Sequence, residues 1–317
     1  MTMANRIPDS SSAGKSIAGD SGGGLATAIA TYLIWGFLPL YLKKLSFVPA
    51  LELVGWRIIF TLPLCLIFIH ARRQWGDLAA ALANRRVLLN LCMSALLIGG
   101  NWLLYTNAIN NGHVLAASLG YYICPLLNVL LGTVFLGERL NRVQWLAVGI
   151  AAMGIGLLLY GAADVFGVAL SMAASFALYG LVRKLTPVGS VPGLTIETSL
   201  LILPAIGVCL WLARLPAGSS IAGGPAVVAL LFGSGVLTAV PLLLFAVAAR
   251  KLDLSVLGFI QFIAPTIVFV LGHFVFHEPL DAVRLTCFVL IWIAIALFSW
   301  DMLRRSGFSG SGQKAPV

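Results

Sequence analysis

The stretch LLIGGNWLLYTNAINNGHVLAASLGYYICPLLNVLLGTVFLGERL, residues 96–140, returns 140 positions later as VLTAVPLLLFAVAARKLDLSVLGFIQFIAPTIVFVLGHFVFHEPL, residues 236–280, without a gap. Ten of the 45 aligned positions are identical. An apolar composition alone would make leucines coincide. It would not place Pro125 on Pro265, Gly132 on Gly272 and Glu138 on Glu278 in one register. Asn141 and Asp281 then align as candidate N-caps of a following helix. Upstream, Pro63 and Pro204 align at an offset of 141. The chain therefore reads as two similar halves.

Composition says what solvent those halves live in. Of 317 residues, 60% are hydrophobic and only 10% charged, and the mean hydropathy is +1.00. A soluble domain carries about 25% charged residues, so this chain could not cover its surface in water. Apolar runs recur at about the 20-residue length that crosses a bilayer core. Within that core each backbone polar group has to be satisfied inside its own segment, which makes the fold all-α.

Windows of about 19 residues place ten transmembrane spans at 24–43, 50–70, 87–107, 114–136, 143–161, 163–182, 193–213, 226–249, 255–276 and 282–302. With the N-terminus inside, fifteen Lys and Arg residues fall in cytoplasmic segments and four in the opposite loops (Lys43, Lys44, Arg214 and Arg284). That bias sets both termini in the cytoplasm. Residues 1–23 and 303–317 read as flexible cytoplasmic tails, leaving 24–161 and 162–302 as two five-span repeats. Five is odd, so the second copy enters the membrane in the opposite sense to the first. Inverted repeats of this kind are the architecture of many secondary transporters.

Several other functions are disfavoured. The net charge of +9 is dispersed in pairs such as Arg72-Arg73 and Arg250-Lys251 between apolar runs, which suits topology and not nucleic acid. The five cysteines lie singly inside apolar runs, at no metal or disulfide spacing. Gly14-Lys15-Ser16 mimics the end of a phosphate loop, but Asp9 stands where its first glycine belongs. The apolar run from Gly24 is too long for a cleaved signal peptide and ends in lysines. No cofactor or metal is expected.

Interrupted helices at matching positions are the best pointer to a transport site. Pro125 and Pro265 lie near the middle of spans 4 and 9, where each frees the carbonyl four residues back, those of Tyr121 and Gln261. At helical spacing, Ser118, Tyr121, Pro125, Asn128 and Gly132 share one face of span 4, and Gly258, Gln261, Pro265, Val268 and Gly272 share the matching face of span 9. Asn101 and Tyr105 in span 3, with Trp102 beside them, and Trp35 and Tyr179 of the comparable Trp35-Gly36 and Tyr179-Gly180 pairs complete the candidate lining. Small residues and Asn side chains also serve helix packing in membranes, so both readings stand for these positions.

Charges inside spans each need an explanation. Arg57, in span 2, could hold an anionic group, pair with an acid or snorkel outward. Glu197, at nearly the repeat-related position in span 7, could couple protons or serve as a structural partner. Glu138 and Glu278 precede spans 5 and 10, where the helix dipole is explanation enough.

The run 96–140 followed by VQWL (143–146) closely resembles the RarD proteins of the EamA group, in the drug/metabolite transporter superfamily. FALYGLVRK (176–184), IET (196–198), Leu203-Pro204 and LGFIQFIAPT (257–266) are similar to further RarD signatures, so the resemblance covers roughly residues 24–302. It implies ten helices in two inverted EamA repeats around a central cavity, in a bacterial inner membrane. It also implies export or exchange of small metabolites, amino acids among them, by alternating access. The chloramphenicol-sensitivity label of RarD members does not identify a physiological substrate.

The expected partners are a small-molecule substrate and the lipid bilayer, with protons and a second copy of the chain as further candidates. The rival to a carrier is a receptor or scaffold without transport, which would not need matched midplane prolines. A membrane enzyme is a more distant rival. It would rest on His273, His277 and Glu278 at the end of span 9, with no third partner elsewhere.

Overall fold

The computed structural model describes residues 13–110, 114–160, 166–216, 218–275 and 282–309. Among them the regular structure is helical: α1 (Ala13–Lys43), α2 (Ala50–Ala71), α3 (Trp75–Ala83), α4 (Arg85–Asn110), α5 (Val114–Phe135), α6 (Arg142–Tyr160), α7 (Phe166–Leu185), α8 (Ser190–Ala213), α9 (Pro225–Lys251), α10 (Leu254–Gln261), α11 (Ile263–Phe274) and α12 (Ala282–Ser309). A short 3-10 turn, Ser220–Gly223, precedes α9. Nine helical segments among the described residues are long and apolar enough to span a membrane, and Leu119–Phe135 of α5 adds a shorter apolar one. Leu96, Leu203 and Phe135 point outward at 73, 76 and 67% exposure, an arrangement that only a lipid solvent favours.

The packing respects an exchange of halves. α1 packs on α9 and α11, and its counterpart α7 packs on α4 and α5. α2 packs on α9 as α8 packs on α4. The pairs α2–α8, α5–α10 and α6–α12 each join a helix to its own counterpart. For these pairs, replacing each helix by its mate in the other half returns the same set, whereas the α7–α9 contact and the short helix α3 have no such mate.

Four local features differ from what the sequence predicts. Span 9 is interrupted at a single residue, Phe262, whose backbone stays in the αR region, so α10 and α11 continue as one span with a local irregularity. Pro265 cannot donate to Gln261, and the ladder loses a bond there. α5 runs unbroken through Pro125, so the two prolines act unequally. The connection 72–84 contains α3, whose Ala81 packs with Val87, Leu91, Val188 and Ile196 while Trp75 and Leu82 stay exposed. Both ends of the helical bundle also reach into the expected tails, since α1 starts at Ala13 and α12 ends at Ser309.

The polar groups at the end of the bundle that carries the termini explain how the halves hold together there. Asn141 is the N-cap of α6: its Oδ1 accepts from the Val143 and Gln144 amides at 2.7 and 3.0 Å, and Gln144 Oε1 accepts from the Asn141 amide at 3.1 Å. That is a reciprocal capping box. Asn141 Nδ2 also donates to Asp301 on α12 at 2.5 Å. Glu138 does not act on α6, the helix that it precedes. It caps α10, accepting from the Leu254 and Ser255 amides at 2.7 and 2.9 Å and from Ser255 Oγ at 2.7 Å. A side chain at Gly132 would occupy the same space as that carboxylate, which accounts for the glycine. Burial and the Glu138 carboxylate push the neighbouring Asp253 carboxyl above its ordinary pKa, against the pull of Lys184. Asp281 and Glu278, the counterparts of these groups, lie outside the described residues.

Arg183 corrects the charge count. It is not a loop cation but a buried one, 1% exposed, with its Nη1 3.3 Å from Glu197 Oε1 and its Nη2 donating to the Ser190 carbonyl at 3.4 Å. Ser94 donates to the same Glu197 oxygen, and Tyr179 to the other at 3.5 Å. Gly193 leaves the room that the guanidinium occupies. Lys184 donates to the Leu252 carbonyl and Arg250 to that of Val188 at 2.6 Å, closing this end between α7 and α9. At the far end Glu52, also buried and not anticipated, gathers Trp56 Nε1, Ser219 Oγ and the Ser220 amide and hydroxyl.

Two stability measurements follow. Glu138→Ala strands two amides of α10 and should cost about 2 kcal/mol in detergent unfolding, with Glu138→Gln less damaging. Arg183→Met or Glu197→Gln alone should cost about 3 kcal/mol by leaving a buried charge or its acceptors unmatched. The double substitution should cost clearly less than the two together, and a strictly additive result would show that the pair is not coupled.

Candidate functional site

The break in span 9 faces a cavity of about 240 Å³ at the centre of the bundle. Its wall combines aliphatic side chains with the rings of Tyr32, Trp35, Trp102, Tyr105, Tyr121, Tyr122 and Phe176, and its polar groups are Asn101, Thr238, Gln261 and Arg57. Leu38, Pro39 and Leu42 carry the lining toward the far end of α1. In the other direction it stops at an aromatic floor. There Trp35 meets Phe176 at 5.6 Å and Phe245 at 5.9 Å, and Phe245 stacks on Tyr179 at 5.8 Å between ring centroids. Below the floor a much smaller void is lined by Tyr179, Glu197 and Thr198, and it shares Ile98, Trp102 and Leu242 with the cavity above.

Of the residues singled out from sequence, Trp35, Arg57, Asn101, Tyr105, Tyr121, Gln261 and Pro265 line the cavity. Tyr121 is half exposed into it and sets its ring edge-on to Tyr105, 6.3 Å away. Asn101 uses its amide hydrogens on α7, donating to the Met172 carbonyl at 2.8 Å and Ser175 Oγ at 3.0 Å. Its place on the wall is therefore fixed by a helix–helix tie. Arg57 donates from Nε to Thr238 Oγ1 at 2.8 Å and sets its guanidinium 5.8 Å from the Trp102 ring centre.

Four others are elsewhere. Asn128 is buried behind Gln261 and donates to its Oε1 at 2.8 Å, orienting the carboxamide without reaching the cavity. Pro125 is packed where α5 crosses α10: a Cβ at Gly258 would stand 2.7 Å from its carbonyl oxygen. Tyr179 and Glu197 lie beneath the floor. The side chain of Ser118, and His277 and Glu278, lie outside the described residues. His273 packs beside Phe274 at 4.8 Å and is not among the lining residues.

Thr238, Leu242, Tyr32 and Phe176 were not singled out from sequence, yet the repeat register contains them. Ile98 and Thr238, Trp102 and Leu242, and Tyr121 and Gln261 are each 140 apart, and both members of each pair line the cavity. Tyr32 and Phe176 are related by the same step that relates Trp35 to Tyr179. Tyr32 is itself buried, and its hydroxyl has no hydrogen-bond partner among the described residues. Such an arrangement can enclose a small solute by ring contacts and fix it by a few polar groups.

Residues 22–160 match the model of the EamA-like transporter family. An uncharacterized transporter of Vibrio cholerae is 43% identical over 90% of this chain and 94% of its own. Protein RarD of Escherichia coli is 41% identical over 88% and 95%, and the uncharacterized transporter YojE of Bacillus subtilis 41% over 89% and 95%. A solved crystal structure shares the fold, with a TM-score of 0.69 at 17% identity over 88% of this chain and 98% of that one. With bacterial transporters as relatives and spans throughout, this is a multi-pass inner-membrane protein and a membrane transporter. The chain belongs to the EamA-like transporter family, in its RarD group.

Proposed function

We propose that the protein is a secondary carrier that exports or exchanges a small metabolite by alternating access, and that it has no catalytic activity of its own. The observation that carries this reading is the cavity itself, ringed by repeat-related pairs and closed at one end by an aromatic floor. Repeats 24–161 and 162–302 are its two moving halves. With both termini in the cytoplasm, as the Lys/Arg bias favours, the state described is outward-facing. A receptor could use the same pocket, but it would gain nothing from two interchangeable halves.

Within this reading the unequal partners acquire a role. Trp35 and Tyr105 line the cavity, while their counterparts Tyr179 and Phe245 are packed at 1% exposure. When the halves exchange roles, Tyr179 and Phe245 become lining residues and Trp35 and Tyr105 become packed ones. Glu197, beneath the floor, is the acid through which protons would be coupled.

The test is counterflow in proteoliposomes, run with a panel of amino acids, related carboxylates and drug-like compounds at two pH values. Saturable exchange of at least one compound is expected. Tyr121→Ala and Gln261→Ala should each lower it about tenfold or more, the scale of one lost polar contact. Leu96→Ala, on the lipid-facing surface, is the control that leaves it unchanged. A flux driven by a pH gradient should lose that drive in Glu197→Gln. Binding without any flux across the whole panel would favour the receptor.

A further inference from the structure

Arg57 is the only charged side chain among the described residues that line the cavity. The structure gives it little. Its Nε donates to a neutral hydroxyl, its face rests near Trp102, and no carboxylate among the described residues pairs with it. Its Nη nitrogens have no hydrogen-bond partner among the described residues, yet they are not sealed from the void as buried orphans would be. The nearest place where the fold balances a buried cation shows the contrast. Glu197 lines the small void beneath the floor and is already matched to Arg183, with Ser94 and Tyr179 as further donors. That carboxylate is not available to Arg57.

A guanidinium cannot lose its proton at any relevant pH. Within a membrane-spanning segment an unmatched charge is costly, and such residues face a partner or a water-filled path. Here the free edge of the fork faces the place where a solute would sit. Planar two-point hydrogen bonding is what carboxylates and phosphates accept best from arginine. The rest of the wall is ring faces, aliphatic side chains and neutral polar groups, with no acid among the described residues to match an ammonium.

We infer that Arg57 is the specificity-determining residue of the cavity, and that its substrate is a small organic monoanion: one carboxylate held by Arg57 and an apolar or aromatic body held among the rings, with no ammonium group. This deepens the carrier reading and rests on the same cavity, but it concerns what binds and not whether the bound solute moves.

The experiment is calorimetric titration of purified protein in lipid nanodiscs with four probes that share one phenyl ring and one carbon arm: 3-phenylpropionate, 3-phenylpropionamide, 3-phenylpropylamine and L-phenylalanine. The carboxylate should bind at least about tenfold more tightly than the amide and than L-phenylalanine, the scale of a charge-assisted pair, and the amine should not bind. Arg57→Gln should remove the preference for acid over amide, and Arg57→Lys should retain part of it. Equal binding of acid and amide to the unaltered protein would overturn the inference, as would tighter binding of L-phenylalanine, no binding of the carboxylate, or a preference that survives Arg57→Gln. The wild-type comparison needs no variant, so a misfolded substitution leaves the test intact. Charge-selective binding with no counterflow of 3-phenylpropionate would sink the carrier reading and leave the anion site standing. Counterflow of zwitterions that ignores Arg57→Gln would do the reverse.

Discussion

Backbone amides in the interior of a bilayer must find partners without help from water, and this constraint is hardest to meet at the break between Gln261 and Ile263. Pro265 has no N–H to give to Gln261, so one hydrogen bond of the ladder is missing within the span. Irregular backbone at that depth is tolerated where it is buried in protein or lines a cavity, and here it does both. Asn128 holds the Gln261 carboxamide from the α5 side, and Gly258 lets the two helices approach at the Pro125 carbonyl. The α5–α10 crossing therefore fixes the break, and the break fixes one wall of the cavity. Pro125 produces no such interruption because α5 continues through it. The two halves share a sequence feature and use it differently.

Charge is handled by the same economy of partners. Arg183 and Arg57 are both arginines within the bundle, but their surroundings have opposite characters. Around Arg183 the fold supplies a carboxylate, a carbonyl and a glycine that makes room, and the residue is packed shut. Such a pair is weak evidence for net stability. Its position between α7 and α8, under the aromatic floor, makes it part of what closes that end. Around Arg57 the fold supplies one hydroxyl and one ring face, and the residue looks into open space. At the closed end the buried charge is satisfied internally, whereas Arg57 is left with a hydroxyl and a ring face on the cavity wall.

Much of this was legible in the sequence, and the reason is the repeat. The register that aligns Pro125 with Pro265 also aligns Tyr121 with Gln261, Ile98 with Thr238 and Trp102 with Leu242, and all three pairs surround one cavity. Hydropathy placed the helices because each span must be apolar along its length. What escaped was tertiary in origin. Glu138 was assigned to its nearest helix in sequence, but the amides left unpaired at the start of α10 lie closer in space. Arg183 stands beside Lys184 like any loop pair, and only the fold shows Glu197 across from it. α3 is short, and Ala81 reveals its buried side only through contacts with α4 and α8.

The most instructive departures are Tyr179 and Asn128, because each has a matched residue that does line the cavity or touches one that does. Asn128 lies behind the wall because a helical face read from spacing cannot tell the side chain that faces the cavity from the one that braces it: Gln261 stands between them. Tyr179 lies off the wall for a different reason. Sequence symmetry makes it equivalent to Trp35, but a single conformation of an inverted pair cannot treat the two alike. Under the carrier reading one end of the cavity is closed while the other is open, and the aromatic residues that line one half have counterparts stacked into the floor by the other. In a carrier, equivalence in sequence is thus a statement about both states together. Inequivalence in the structure, Trp35 on the wall and Tyr179 beneath it, marks which end is shut.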